Sequence, residues 1–334
     1  MPESKPVAVY TDNEDMDPTQ GIRLLEAHGF EVRYLKTLDP DRILARSQDA
    51  SALLVGYAPI PERVILGLPQ LRIISLVSMG FDNIDLAAAR SRGVWVTNLP
   101  GVASEEVATH ALGLMLAAVR QLPFFERSIV DDWNARPATL PFRLSQRTLG
   151  IVGLGRIGMK FAGMAAPLFG ETVGYDPYVA QNTDARVRIE ALGVRVASLD
   201  DVLAASDVIS LHLPLTPETH HIINAHTLGH MKPGSYLVNA SRGQLIDTNA
   251  LIAALDSGAL AGAGLDVLET EPVRADDPLI AHERTIVTPH VGFLSDFTQG
   301  EYIRVQAQNV VSLFESGETE TPPVVDPRDS TLVA

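Results

Sequence analysis

Arg242, Glu271 and His290 each close an apolar segment in the second half of the chain. Arg242 ends the run Tyr236–Asn239, which reads as a buried strand; Glu271 follows Ala259–Val267, and His290 follows Thr285–Val287 in a Thr-Pro-His turn. The carboxyl ends of strands are where ligands bind in an open α/β sheet. A guanidinium, a carboxylate and an imidazole gathered there can bind an anion, tune a base and move a proton. A guanidinium fork can also polarise a carbonyl, and with a dinucleotide signature about a hundred residues upstream the set makes a hydride-transfer enzyme the leading reading. A carboxylate beside an imidazole favours the protonated ring. The bland alternative is a structural ion pair of Arg242 with Glu271, with His290 filling a turn.

A hydride needs a carrier. Thr148–Val152 reads as a strand, followed by Gly153-x-Gly155-x-x-Gly158 and a helical stretch to Phe169. The first glycine of such a loop permits the tight turn, the second lets backbone N–H groups approach a pyrophosphate, and the third lets the helix pack on the strand. The helix start, at Arg156 and Ile157, offers unpaired N–H groups and a partial positive charge to the phosphates. A second strand, Glu171–Tyr175, ends at Asp176, 18 residues beyond Gly158. A carboxylate there accepts hydrogen bonds from the adenosine ribose and repels a 2′-phosphate, and Pro177-Tyr178 add no cation. This order predicts a dinucleotide site that favours NAD (NADH) over NADP. Leu211-His212-Leu213-Pro214 should sit at the next strand end, where backbone groups can reach ribose or nicotinamide; the His212 ring itself reads as local structure. His220 and His221 are adjacent, so their rings point in different directions, and no metal site is predicted.

Two series of alternating elements position these residues. Val7–Tyr10, Glu31–Tyr34, Ala52–Val55, Ile73–Leu76 and Val94–Thr97 read as strands separated by helical patterns, the first ending near Gly29. Such alternation implies right-handed crossovers and a parallel sheet. Ser104 offers a helix N-cap, with Glu105 and Glu106 suited to the positive end of the dipole. That helix is predicted to run to about Gln121, before Pro123, with His110 packed inside it. Residues 123–147 hold three prolines and one short helix near Phe124–Trp133. A second alternating series runs from Thr148 to about Thr288, and a last helix, Asp296–Ser316, is expected to pack back on the first series. The expected division is 1–100 plus 296–334 as a substrate domain and 101–295 as a dinucleotide-binding domain.

Composition bounds the partners. The 334 residues suit two domains, and 46% hydrophobic against 20% charged residues is ample for sizeable cores. A net charge of −15 repels phosphate backbones, so nucleic acid is a poor partner. With no cysteine, disulfides, thiolate metal sites and cysteine nucleophiles are excluded. The polar start, Met1 to Lys5, leads into a strand rather than a signal-peptide core, and the most apolar helix candidate, Ala108–Val119, is too short for a bilayer. A cytoplasmic protein without membrane contact is expected.

Six motifs together resemble the D-isomer-specific 2-hydroxyacid dehydrogenases: Met79–Asp85, the Gly153 loop, Asn239-Ala240-Ser241-Arg242-Gly243, Gly264–Val267, Glu269–Pro272 and Thr288-Pro289-His290-Val291-Gly292. They stand in the family's order, with Glu271 29 residues after Arg242 and His290 19 residues further on. The resemblance spans about Ala52 to Gln308. It implies a flavodoxin-like catalytic domain, a Rossmann domain with doubly wound parallel sheets in both, substrate in the cleft, and a homodimer formed through the cofactor domain. Carried onto this chain, Arg242 binds the substrate carboxylate and ketone oxygen, His290 is the acid/base and Glu271 pairs with it. Asp266 holds the nicotinamide carboxamide, and Val107, Pro214, Thr219, Ala240, Ser241 and Gly292 line the cofactor. The N–H groups of Ser78, Met79 and Gly80 bind the substrate carboxylate. Apart from the resemblance, Tyr57 is expected to face the same pocket from its place just after the strand Ala52–Val55.

This chain departs from its relatives at Met79, where a small residue is common, and at Phe293-Leu294, where small or polar residues are frequent; both narrow or grease the pocket. Glu271 and Met79 disfavour the formate and phosphite dehydrogenases of the superfamily, which carry glutamine and lysine there. The chain shows no regulatory domain of the kind common in 3-phosphoglycerate dehydrogenases, and its substrate loop has no evident phosphate-binding cation. The expected function is NAD-dependent interconversion of a small 2-oxo acid and its D-2-hydroxy acid. The competing expectation is an NAD(H)-sensing scaffold, since the resemblance includes the C-terminal-binding-protein corepressors.

Overall fold

Strand residues of the first series alternate between two apolar faces, which is what a sheet covered on both sides requires. The computed structural model describes residues 5–12, 16–137, 139–179 and 182–329. Residues 1–4 of the polar start and 330–334 of the acidic tail lie outside them. The chain divides into two units, 1–102 with 295–334, and 103–294.

In the smaller unit β1 (Val7–Tyr10), β2 (Glu31–Tyr34), β3 (Ala50–Val55), β4 (Ile73–Leu76) and β5 (Trp95–Thr97) form one parallel sheet, ordered β2-β1-β3-β4-β5. This is the flavodoxin-like order. Val7, Val9, Leu53, Val55, Ile74 and Leu76 face one core. Ala8, Tyr10, Ala52, Leu54 and Ile73 face the other, with Ala307, Val310 and Val311 of the helix Thr298–Ser316. Polar bonds fix that helix: Gln306 Nε2 donates to Val55 O (3.2 Å) and Ser75 O (3.0 Å), while Ser75 Oγ donates to Gln306 O (2.8 Å). The first helix, Thr19–Ala27, stops as the glycine predicts, with Gly29 at φ 85°.

The larger unit holds β6 (Thr148–Val152), β7 (Glu171–Tyr175), β8 (Arg195–Val196), β9 (Val208–Leu211), β10 (Ser235–Asn239), β11 (Leu260–Leu265) and β12 (Thr285–Val287). All pairings are parallel and the order is β12-β11-β10-β9-β6-β7-β8. The chain winds outward from β6 to β8, then returns to β9 on the other side of β6. That reversal opens the crevice in which such sheets take their ligands.

Two expectations need correction. Ser104 is not an N-cap: Ala103 holds that position, and Ser104 is buried in the first turn with no partner for its hydroxyl. A residue already in helical conformation cannot fold its side chain back onto the N–H groups ahead of it, so Glu105 and Glu106 alone serve that end. The helix Ser104–Val119 stops two residues short of Gln121, whose left-handed φ of 58° turns the chain into a second helix, Leu122–Ser128. No single helix among the described residues is long and apolar enough to cross a membrane.

Candidate active site

The glycine loop follows β6 at the reversal, and its three glycines meet different surroundings. Gly153 has φ 98°, and a Cβ on it would lie 2.4 Å from His212 O. A Cβ on Gly158 would lie 2.0 Å from Gly153 O, so the helix Arg156–Ala165 rests directly on the loop. Gly155 has no atom within 4 Å of that position and opens onto empty space. Two close approaches and one open face at a helix N-terminus fit a pyrophosphate. Arg156 is exposed and Ile157 half-buried beside that opening.

Asp176, at the end of β7, accepts hydrogen bonds from Leu154 N (2.9 Å), Tyr178 N (2.9 Å) and Val179 N (3.1 Å). It therefore fastens the glycine loop to the next strand end; Oδ1 takes both Tyr178 N and Val179 N, and Oδ2, with Leu154 N alone, keeps lone-pair capacity for a hydroxyl. The buried His212 ring packs on Phe161 (4.7 Å between centroids) and pairs Nε2 with Ser210 Oγ at 2.9 Å. Burial pulls its imidazole down to about 3, so the ring is neutral and structural. Thr219 Oγ1 donates to Pro214 O (2.7 Å), closing the segment after β9, and Ser241 Oγ donates to Leu211 O (2.9 Å). Val107 and Ala240 are buried.

Arg242 follows β10, with Asn239 Nδ2 donating to its main-chain oxygen (2.8 Å) and its own Nη1 donating to Ser241 O (2.8 Å). The next residue, Gly243, touches the segment after β11: a Cβ there would lie 2.0 Å from Leu268 C and O. Gln244 Nε2 adds a bond to Glu269 O at 3.0 Å. The loops carrying Arg242 and Glu271 are thus docked backbone to backbone. Glu271 Oε1 accepts from Leu268 N (2.9 Å), and Oε2 receives His290 Nδ1 at 2.7 Å. The pair commits Nδ1 to the carboxylate and leaves Nε2 as the outward nitrogen.

The turn that carries His290 is built on Asp266. Its carboxylate accepts from Thr288 Oγ1 (2.6 Å), Val291 N (3.0 Å) and Gly292 N (2.8 Å), and its main-chain oxygen from His290 N (2.7 Å). Burial alone would raise the Asp266 carboxyl, but donations from His110, Thr288, Val291 and Gly292 hold it below the usual range. Sequence reasoning assigned Asp266 to the cofactor and missed this template, because backbone N–H donors carry no residue-type signature. It also missed the pairing of His221 Nε2 with Glu269 Oε1 at 2.7 Å. The acidic Glu269–Pro272 motif was the available signal.

In the smaller unit, Ser78 Oγ donates to Gly80 O (2.7 Å) and Asn98 Nδ2 to Met79 O (2.7 Å), shaping the predicted substrate loop. Tyr57 is 52% exposed, in a loop whose backbone N–H groups at Gly56 (3.1 Å) and Ala58 (3.3 Å) donate to the buried Asp12.

A sequence profile described as the D-isomer specific 2-hydroxyacid dehydrogenase NAD binding domain matches residues 112–292. The chain belongs to that family. It is 37% identical over 310 residues to a glyoxylate reductase of Korarchaeum cryptofilum, covering 90% of this chain and 91% of the relative. It is 42% identical over 263 residues to a D-3-phosphoglycerate dehydrogenase of Mycobacterium bovis, covering 78% of this chain and 49% of the relative. The dehydrogenase family member thus spans about half the length of the D-3-phosphoglycerate dehydrogenases it matches. An NADPH-dependent glyoxylate/hydroxypyruvate reductase from Sinorhizobium meliloti, in complex with NADP and malonate, superposes with a TM-score of 0.84 at 30% identity, covering 97% and 98% of the two chains. The family member therefore carries a nicotinamide-dinucleotide-binding domain in residues 112–292.

Proposed function

We propose that this family member is an NAD-dependent enzyme that interconverts a small 2-oxo acid and its D-2-hydroxy acid. The observation that carries the reading is the His290–Glu271 contact at 2.7 Å, on loops at the carboxyl ends of β12 and β11. When bound, the nicotinamide supplies the hydride for reduction. Gly153, Gly155 and Gly158, with the helix start at Arg156–Ile157, hold the pyrophosphate, and Asp176 takes the ribose. Arg242 binds the substrate carboxylate and draws charge onto the carbonyl oxygen. His290 Nε2 delivers a proton to that oxygen in reduction and removes it in oxidation, while Glu271 holds the ring and balances its charge. Within the smaller unit, the Ser78–Gly80 turn is the proposed carboxylate-binding loop.

The carboxylate of Asp176, with no cation at Pro177-Tyr178, supports NADH over NADPH through repulsion of a 2′-phosphate. Homodimerisation draws support from a run of exposed apolar side chains at Leu122, Ile129, Val130, Trp133 and Leu140. A panel of 2-oxo acids, glyoxylate and hydroxypyruvate among them, assayed with NADH and NADPH tests the reading. Steady NADH oxidation is the expected result. Tight NADH binding without turnover on any member would replace the enzyme by a dinucleotide sensor.

A further inference from the structure

His110 stands in the middle of the helix Ser104–Val119 and reaches the turn that carries His290. Its Nε2 lies 2.8 Å from Thr288 Oγ1 and 3.3 Å from Asp266 Oδ1. The Thr288 hydroxyl proton is committed to Asp266, so Thr288 Oγ1 accepts from His110, which places the His110 proton on Nε2. From Asp266 the wiring continues to the N–H groups of His290, Val291 and Gly292. These bonds hold His290 at φ 54°, a left-handed conformation that histidine does not favour on its own. The turn has no slack, since a Cβ on Gly292 would lie 2.8 Å from Asp266 Oδ2 and 3.4 Å from His110 Cδ2.

We propose that His110 is a positioning residue for His290, acting through Thr288 and Asp266 to aim the His290 ring at Glu271. The inference rests on His290 being the acid/base of the proposed reaction. A histidine that only filled space would be replaceable by any side chain of its volume. One that supplies a directed N–H is replaceable only by another donor.

Two pairs of variants separate these roles. Thr288→Val keeps the shape and removes the hydroxyl, whereas Thr288→Ser keeps the hydroxyl. His110→Leu removes the donor, whereas His110→Gln puts an amide N–H near the place of Nε2. Thr288→Val and His110→Leu should lower kcat about 10- to 100-fold, the scale of a slightly misplaced reacting group. NADH affinity, read by fluorescence titration, should fall by much less than kcat, and Thr288→Ser and His110→Gln should recover most of the lost kcat. A readout without turnover comes from ¹⁵N ring correlations at alkaline pH. In the wild type these should place the His290 proton on Nδ1 and the His110 proton on Nε2. In Thr288→Val and His110→Leu the His290 pattern should become mixed. A wild type that reduces no oxo acid, yet shows this response, removes the reaction and supports the wiring. Unchanged His290 signals in both variants overturn the wiring, as does a His110→Gln enzyme as slow as His110→Leu.

Discussion

At the scale of single residues, the backbone at position 290 decides which substitution is informative. The left-handed region tolerates asparagine better than most residues, so His290→Asn should keep the turn while removing the proton donor. Its kcat should fall about 10²- to 10⁴-fold with NADH affinity retained, as read by stopped-flow reduction and fluorescence titration. Unimpaired turnover would remove His290 from the chemistry. His212 makes a separate statement about pH. Its folded value is about 3 against 6.5 for the free group. Between those values the unfolded chain binds the extra proton, so this contribution is complete above the free value and is lost as pH falls through the window. The loss should be at most about 1.4 kcal/mol per pH unit, and urea unfolding of His212→Asn across the window should show a flatter dependence. Strand-end residues such as Glu271 and His290 were legible because polar side chains stand out against apolar runs. The second task of Asp266 was not, since its partners are mostly main-chain donors from a turn that exists only once folded.

At the scale of elements, the glycines provide a graded test. Gly155 has ordinary φ (−72°) and open space where a Cβ would go, so Gly155→Ala should leave the urea midpoint intact while weakening NADH binding. Gly243→Ala instead drives a Cβ into the Leu268 peptide at 2.0 Å. It should separate the loops of Arg242 and Glu271, costing about 1–3 kcal/mol in stability and lowering kcat. Equal urea midpoints for the two variants would show that the loops do not depend on that contact. Most strands were legible, because β1, β3, β4 and β10 are buried apolar runs and β6 and β9 are bounded by turn or loop signals. β8 was not: Arg195–Val196 is a two-residue edge strand with one exposed side chain, too short to show a period. The cap at Ser104 was misread because the residue type fits a cap and only the backbone conformation rules it out.

At the scale of the whole molecule, the exposed run Val130 (83%) to Trp133 (79%) supports self-association. Val130→Asp with Trp133→Asp should convert a dimer to a monomer in light scattering, and a wild type already monomeric would end the proposal. The division of the chain has a further consequence during synthesis. Residues 1–102 leave the ribosome well before 295–334. Until the helix Thr298–Ser316 arrives, the sheet face of Ala8, Tyr10, Leu54 and Ile73 has only the first helix, through Leu25, and Phe30 as partial cover. The inserted unit, 103–294, is continuous and can close its core first. Maturation thus runs out of order along the polypeptide, and the beginning of the chain must wait for its end.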